Sequence, residues 1–169
     1  LARTALPPKP KRYADIISTS GRSLLNIINE ILDFSKVEAG KLELEAIETD
    51  LGEMIEDVAD LFAVKAQEKG LDLATYVDPT LGAVAADPVR LRQVVSNLLN
   101  NALKFTEHGH VLLEVSSRQT QDGSRRLVFC VSDSGIGMRQ EVLAQLFESF
   151  AQGDSSTTRR YGGSGLGLA

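Results

Sequence analysis

The sequence predicts an α+β chain made of two units joined near Lys41: a long bundle-forming helix, then a unit of mixed helices and strands. Three observations predict it. From Tyr13 onward apolar residues recur in alternating steps of four and three, the spacing of a helical seam. Further on, strand-like runs such as "VLLEVSSR" and "RRLVFCVSD" follow two shorter helical stripes. Clusters of proline, glycine and small polar residues stand between these segments and punctuate them.

The elements follow in order. "ALPPKPKR" has three prolines within four residues and is expected to break any helix, and Lys9, Lys11 and Arg12 beside them are expected to form a solvated linker. The helix is expected over 13–38, with Tyr13, Ile17, Ser20, Leu24, Ile27, Ile31 and Phe34 in its seam. Ile16, Leu25, Ile28 and Leu32 widen the seam to a face that one helix cannot bury by itself. Gly40 ends it, and the alternation of Leu42 and Leu44 with Glu43 and Glu45 reads as a short strand. Asp50 with Glu53 resembles a capping box opening a helix whose stripe is Leu51, Met54, Ile55, Val58, Leu61 and Phe62, ending at Gly70. "LDLATYV" reads as a strand. Asp87 and Pro88 suit the N-cap and first position of a helix running to about Thr106. A strand pair joined through "QTQDGS" comes next, then a short helix in "RQEVLAQLFESF", a polar stretch and "GGSGLGLA".

Composition excludes several classes. The formal net charge is −5, against the basic surface that phosphate contacts require, so no nucleic-acid partner is expected. No apolar run approaches the ~20 residues of a membrane span, and no direct membrane insertion is expected. Cys130 stands alone, which leaves no disulfide framework, and its apolar strand context predicts a buried thiol in a reducing, cytoplasmic setting.

The residues that ask for a chemical reason lie in "SNLLNNALKFT". Asn is a mediocre helix former, yet Asn97, Asn100 and Asn101 share this helix with Lys104. At ~100° per residue, Asn97, Asn101 and Lys104 fall within about 60° of one another, beside an apolar face of Leu91, Val95, Leu98, Ala102 and Phe105. An Asn oxygen can bind a hard cation such as Mg²⁺ that is shared with phosphates, and a lysine one turn on can neutralise those phosphates. A solvated polar face is the plain alternative. Two glycine turns weigh against it: "DSGIG" (Asp133, Gly135, Gly137), directly off a strand, and "GGSGLGL" (Gly162, Gly163, Gly165, Gly167), whose amides could cradle phosphates.

In that order these motifs resemble the sensor histidine kinases of two-component signalling, within the wider GHKL ATP-binding superfamily. "NLLNNALKFT" is similar to that family's asparagine box, "DSGIGM" and "GGSGLGL" to its two glycine boxes, and "LFESFAQGD" to its phenylalanine box. "YADIISTSGRSLLNIINEILDFSKVEAGKLELE" resembles the second helix of the dimerisation and phosphotransfer domain of hybrid-type kinases. The resemblance implies an α/β sandwich of the Bergerat type over 41–169, with residues 1–40 as linker and second dimerisation helix. It implies an enzyme, a protein-histidine kinase, with ATP and Mg²⁺ as its cofactors. Asn101 would ligate Mg²⁺, Asn97 would support the site and Lys104 would contact phosphate. Asp133 would accept a hydrogen bond from the adenine amino group, with Gly135, Ile136 and Gly137 beside the nucleotide. Phe147 and Phe150 would anchor a lid, Arg160 would reach for the γ-phosphate, and Gly163, Ser164, Gly165, Leu166 and Gly167 would border the triphosphate.

Two departures shape the expectation. The family's phosphate-accepting histidine lies on a first helix, whereas His108 and His110 here follow the asparagine box and read as loop residues. The chain also stops two residues after Gly167, so a C-terminally incomplete catalytic domain is expected that does not phosphorylate itself alone. Its expected partners are a second copy, through helix 13–38, and the receiver domain of a response regulator; a longer protein could anchor it at the inner membrane. An ATPase of the same superfamily would place a glutamate one turn before the Mg²⁺-binding asparagine; Asn97 stands there and cannot take a proton from water. A non-catalytic dimerisation or regulatory module is the third reading, and both glycine turns argue against it.

Overall fold

A computed structural model describes residues 8–144, which belong to two compact units, one reaching Leu42 and the other spanning Glu43–Ala144. The first carries α1 (Pro8–Glu38), five residues longer at its start than the proline cluster predicted. Pro8 and Pro10 lie in the first turn, where helical N–H groups have no intrahelical acceptor, so their missing donors cost nothing. Lys9, Lys11 and Arg12 are accordingly exposed helix residues and not a linker. Gly40 takes φ +63° and the Lys41 N–H donates to the Lys36 carbonyl at 2.9 Å, which winds α1 to a stop. Most of the apolar seam of α1 is exposed, Ile17 at 71% and Leu24 at 59%, while Phe34 is half-buried.

The second unit begins with β1 (Ile47–Asp50), displaced from the alternation at Leu42–Glu45, which has no regular structure. What sets the strand is its partner: β1 pairs antiparallel with β3 (Ala83–Ala86), Ile47 opposite Ala86. The strand β3 has no signal in the sequence beyond four small and branched residues. Between them lie α2 (Leu51–Lys69) and β2 (Leu71–Val77). Asp50 caps α2 by accepting from the Glu53 N–H at 3.1 Å, and Gly70 closes it at φ +66°. Leu61, assigned by periodicity to the apolar stripe of α2, is instead 74% exposed.

A three-stranded sheet follows the order β2–β4–β5, with β4 at Gly109–Gln119 and β5 at Arg125–Asp133. β2 runs parallel to β4, and β4 antiparallel to β5 with Val111 opposite Asp133. The parallel pair needs a crossover, and α3 (Pro88–Phe105) lies within it. The core sits between the helices and one sheet face: Leu51, Met54, Ile55 and Val58 from α2, Val95, Leu99 and Leu103 from α3, and Val111, Leu113 and Val115 from β4. Leu98, assigned by spacing to the buried face of α3, is only half-buried, and Leu99 and Leu103 take the core instead. Leu127, Phe129 and Val131 of β5 pack against the same core. Cys130 therefore projects to the opposite face and is exposed, a correction to the buried thiol expected from its apolar neighbours. The short α4 (Gln140–Ala144) ends the described residues.

Helices α2 and α3 are parallel. Arg92 donates to Asp57 at 2.8 Å and Lys65 to Asn100 at 2.6 Å, both across 35 residues, and Lys69 reaches the Leu103 carbonyl across 34. A constant sequence offset between contacting residues is the mark of two helices running the same way.

Candidate functional site

The asparagine-bearing helix is fixed at its start by local chemistry. The Asp87 carboxylate accepts from the Val89 and Arg90 N–H groups, each at 3.0 Å, and Pro88 occupies the first helical position. These bonds, that of Arg90 first, hold the Asp87 carboxyl below its ordinary value. With Val95, Leu99, Ala102 and Leu103 turned to the core, Asn97, Asn101 and Lys104 are left on half-buried positions. Asn100 is turned elsewhere: its side-chain oxygen accepts from Lys65 and it is exposed.

Electrostatics at the end of α3 is dominated by lysines. Lys104 lies 4.9 Å from the centroid of the Phe105 ring, and burial lowers its pKa. The Lys65 pKa is lowered by burial first and then by the charges of Lys69 and Lys104. Ammonium groups that oppose each other's charge form a place where a polyphosphate would relieve repulsion.

The first glycine turn folds directly onto this helix end. The Ile136 N–H donates to the Phe105 carbonyl at 3.3 Å. A Cβ on Gly135 would stand 2.5 Å from that same carbonyl oxygen and 2.7 Å from an Asp133 oxygen, so only glycine permits the approach. Gly135 is thus required by its own chain. Gly137, at φ +66°, supplies the left-handed turn. Asp133 is exposed at the end of β5, and one of its oxygens accepts from the Gly135 N–H at 2.9 Å. Its carboxylate therefore caps the turn while standing open to solvent.

Two contributors escaped sequence reasoning. The Ser134 hydroxyl donates toward the His108 carbonyl at 3.2 Å and accepts from the His110 N–H at 2.9 Å, tying the turn to the start of β4. A Cβ on Gly109, which sits at φ +106°, would fall 2.2 Å from that hydroxyl. Lys69 is the other, bonded to three backbone carbonyls around the end of α3. A "GH" pair before a strand and a lysine before a capping glycine are the only traces of these roles in the sequence. His108 and His110 are exposed, and His110 is a β4 residue rather than a loop residue.

The structure thus brings Asn97, Asn101 and Lys104 to the same helix that receives the turn of Asp133, Gly135, Ile136 and Gly137. Phe147, Phe150, Arg160, Gly163, Ser164, Gly165, Leu166 and Gly167 lie outside the described residues. Among the described residues no group of three or more His, Cys, Asp or Glu could hold a metal. The donor set suits Mg²⁺ carried largely by phosphates and water, with one neutral Asn oxygen, and not a metal enclosed by protein.

Comparison with known proteins agrees with this geometry. Residues 86–169 match the family described as histidine kinase-, DNA gyrase B-, and HSP90-like ATPase. A hybrid signal transduction histidine kinase L from Dictyostelium discoideum is 41% identical over 170 aligned positions, covering 100% of this chain and 10% of that protein. The chain thus spans about a tenth of the length of that relative. Full-length ShkA, solved in complex with AMPPNP, superposes with a TM-score of 0.79 at 36% identity, covering 99% of this chain and 34% of that one. Histidine kinase ThkA, solved in complex with the response regulator protein TrrA, gives a TM-score of 0.57 at 27% identity, over 88% of this chain and 42% of that one.

Proposed function

We propose, for a chain that belongs through residues 86–169 to the histidine kinase-, DNA gyrase B-, and HSP90-like ATPase family, that it is the ATP-binding part of a two-component sensor histidine kinase. It holds ATP so that the γ-phosphoryl group passes to a histidine imidazole supplied by another segment, for relay to a response-regulator aspartate. One observation carries this reading: the Asn/Lys face of α3 and the Asp133 turn are joined by the Phe105 carbonyl at one end of one helix.

The roles divide by chemistry. Asp133, exposed and negative, accepts from the adenine amino group; guanine presents a carbonyl oxygen there and is repelled. Lys104 neutralises phosphate charge, and Asn101 offers its oxygen to Mg²⁺ with Asn97 supporting it. Mg²⁺, when bound, offsets charge on the triphosphate; the residues of the chain position it and exclude water, which is most of what phosphoryl transfer asks of a protein. Phe147 and Phe150 anchor the lid, Arg160 reaches the γ-phosphate, and Gly163, Ser164, Gly165, Leu166 and Gly167 border the phosphates, as the resemblance implies. Asn97 in place of a glutamate disfavours water activation, and so disfavours an ATPase. His108 and His110 are not acceptors, and this chain alone does not label itself. The exposed seam of α1 serves a second copy of the chain, and the partner in relay is a receiver domain. No described helix is long and apolar enough to cross a membrane. The use of ATP supports a cytoplasmic setting for the unit.

Titrating ATP into the protein and its Asn101→Ala variant, with and without Mg²⁺, tests the site. The variant is expected to keep its melting temperature and lose the Mg²⁺-dependent part of its affinity. An unchanged Mg²⁺ response removes the assignment.

A further inference from the structure

A helix ends with carbonyl groups that lack intrahelical donors, and α3 distributes these in an informative way. The Ala102 carbonyl still accepts from the Thr106 N–H at 3.1 Å and from the Thr106 hydroxyl at 2.8 Å. The next two accept from a side chain of α2. Lys69 Nζ donates to the Leu103 carbonyl at 2.5 Å, and reaches the Lys104 and Thr106 carbonyls at 3.5 and 3.3 Å. The carbonyl between them, that of Phe105, is left for the Ile136 N–H of the glycine turn.

Lys69 is itself held in place. It is the last residue of α2, and Gly70 turns the chain straight into β2, whose Leu71 pairs with Gly109 at the start of β4. Its ammonium thus faces the negative end of the α3 dipole from a backbone position fixed by the sheet.

We infer that Lys69 is a positioning residue for the nucleotide site: by holding the carbonyls on either side of Phe105, it sets the distance between the Asn101–Lys104 face and the Asp133 turn. Its bonds go to carbonyls at the end of α3 and not to the turn, so it acts through the α3 backbone. The inference rests on the nucleotide reading for its consequence, but its physical core is a statement about one amide. Without Lys69, three carbonyls turn to water, the last turn of α3 frays, and the Phe105–Ile136 bond loses its fixed acceptor. Displacements under an ångström at a binding site cost large factors in rate and affinity.

The experiment compares the full chain with Lys69→Met, which keeps the stem and removes the charge, and with Lys69→Arg, which restores charge and donors. Lys65→Met is the control, because it removes a neighbouring ammonium of α2 that bonds to the Asn100 side chain and not to the α3 backbone. Amide hydrogen exchange at Ile136 is expected to quicken about tenfold in Lys69→Met, with the β4 amides unchanged, and to return toward the parent rate in Lys69→Arg. ATP affinity is expected to fall about tenfold in the Met variant and recover in the Arg variant. Equal exchange at Ile136 in parent and Lys69→Met overturns the inference, as does faster exchange with no loss of affinity. Equal quickening in Lys65→Met overturns it too, since general loss of charge would then suffice. If β4 opens in Lys69→Met as well, Lys69→Gln takes its place and the same readings apply. A parent chain that binds no ATP refutes the nucleotide reading, whereas the exchange at Ile136 still judges the role of Lys69 in holding the turn.

Discussion

Helices α1 and α3 are written in the same amphipathic code and end in opposite circumstances. In α3, Val95, Leu99 and Leu103 are fully buried within their own unit. In α1, Ile17, Leu24 and Ile31 also share one face, two turns apart, yet Ile31 is 45% exposed and the others more so. An apolar stripe states that a partner is required, and says nothing of where that partner resides. For α3 it is α2 together with β4 and β5. For α1 we assign it to a second copy of the chain.

The comparison breaks most readily at Leu99. Leu99→Ala should destabilise the Glu43–Ala144 unit by about 2–5 kcal/mol, as a cavity among closely packed side chains does. Leu24→Ala should leave the melting of that unit within about 0.5 kcal/mol of the parent. Thermal denaturation of the two variants side by side checks both, and similar losses would erase the distinction between the helices.

Leu24→Asp carries the test to the other helix. If α1 covers its seam with a second copy, each dimer would bury two unpaired carboxylates, and the dimer should weaken by on the order of a hundredfold. Sedimentation across a concentration series reads this directly. A variant as dimeric as the parent would take the seam of α1 out of the interface.

Smaller effects come from the glycine turn that closes on α3, where function and stability separate. Asp133→Asn retains an oxygen that can accept from the Gly135 N–H, so the turn should persist and melting should not change. A hydrogen bond to a charged group contributes about 1.5–3 kcal/mol, so ATP affinity should fall roughly ten- to a hundredfold. The preference for ATP over GTP should narrow, because an amide can present its donor to the guanine carbonyl. Competition binding with both nucleotides decides it; an unchanged ratio in a folded variant would leave Asp133 as a turn cap and no more.

Acid should distinguish the two helices more gently. The Asp87 carboxylate caps α3 and has its pKa held below the ordinary value, whereas α1 has no acidic residue in its first turn. A carboxyl lowered on folding contributes its full stability above the unfolded value, about 3.9, and loses it as pH falls through the folded value. Asp122, in the β4–β5 turn, behaves the same way: the Thr120 hydroxyl, then the hydroxyl and N–H of Ser124, hold it down to about 2. Melting temperature of the Glu43–Ala144 unit should therefore decline between about pH 4 and pH 2, and less so in Asp122→Asn. Helical signal from α1 should not follow the same titration.

Much of this molecule was legible from short stretches. Asp50 and Gly70 at the ends of α2, and Asp87 with Pro88 at the start of α3, act on backbone groups within a few residues, so their meaning needs no fold. The long periodic runs of α1 and α3 and the strand pair β4–β5 were legible for the same reason. The proline cluster misled because proline costs a helix only beyond its first turn, and the place of that turn depended on where α1 began. β1 was displaced and β3 missed because four residues carry too little pattern, and it is their pairing across 33 to 39 positions that makes them strands.

The site divides along the same line. The sequence by itself determined which side chains could meet a nucleotide: amides and an ammonium within one sector of a helix, and a carboxylate beside two glycines. Those follow from helical geometry and from what glycine permits, both local. Only the tertiary structure decided that the turn closes on the Phe105 carbonyl, that Lys69 holds the carbonyls beside it, and that Cys130 faces out while Phe129 faces in. A backbone carbonyl has no letter in a sequence, and which face of a strand is covered depends on elements far away in the chain.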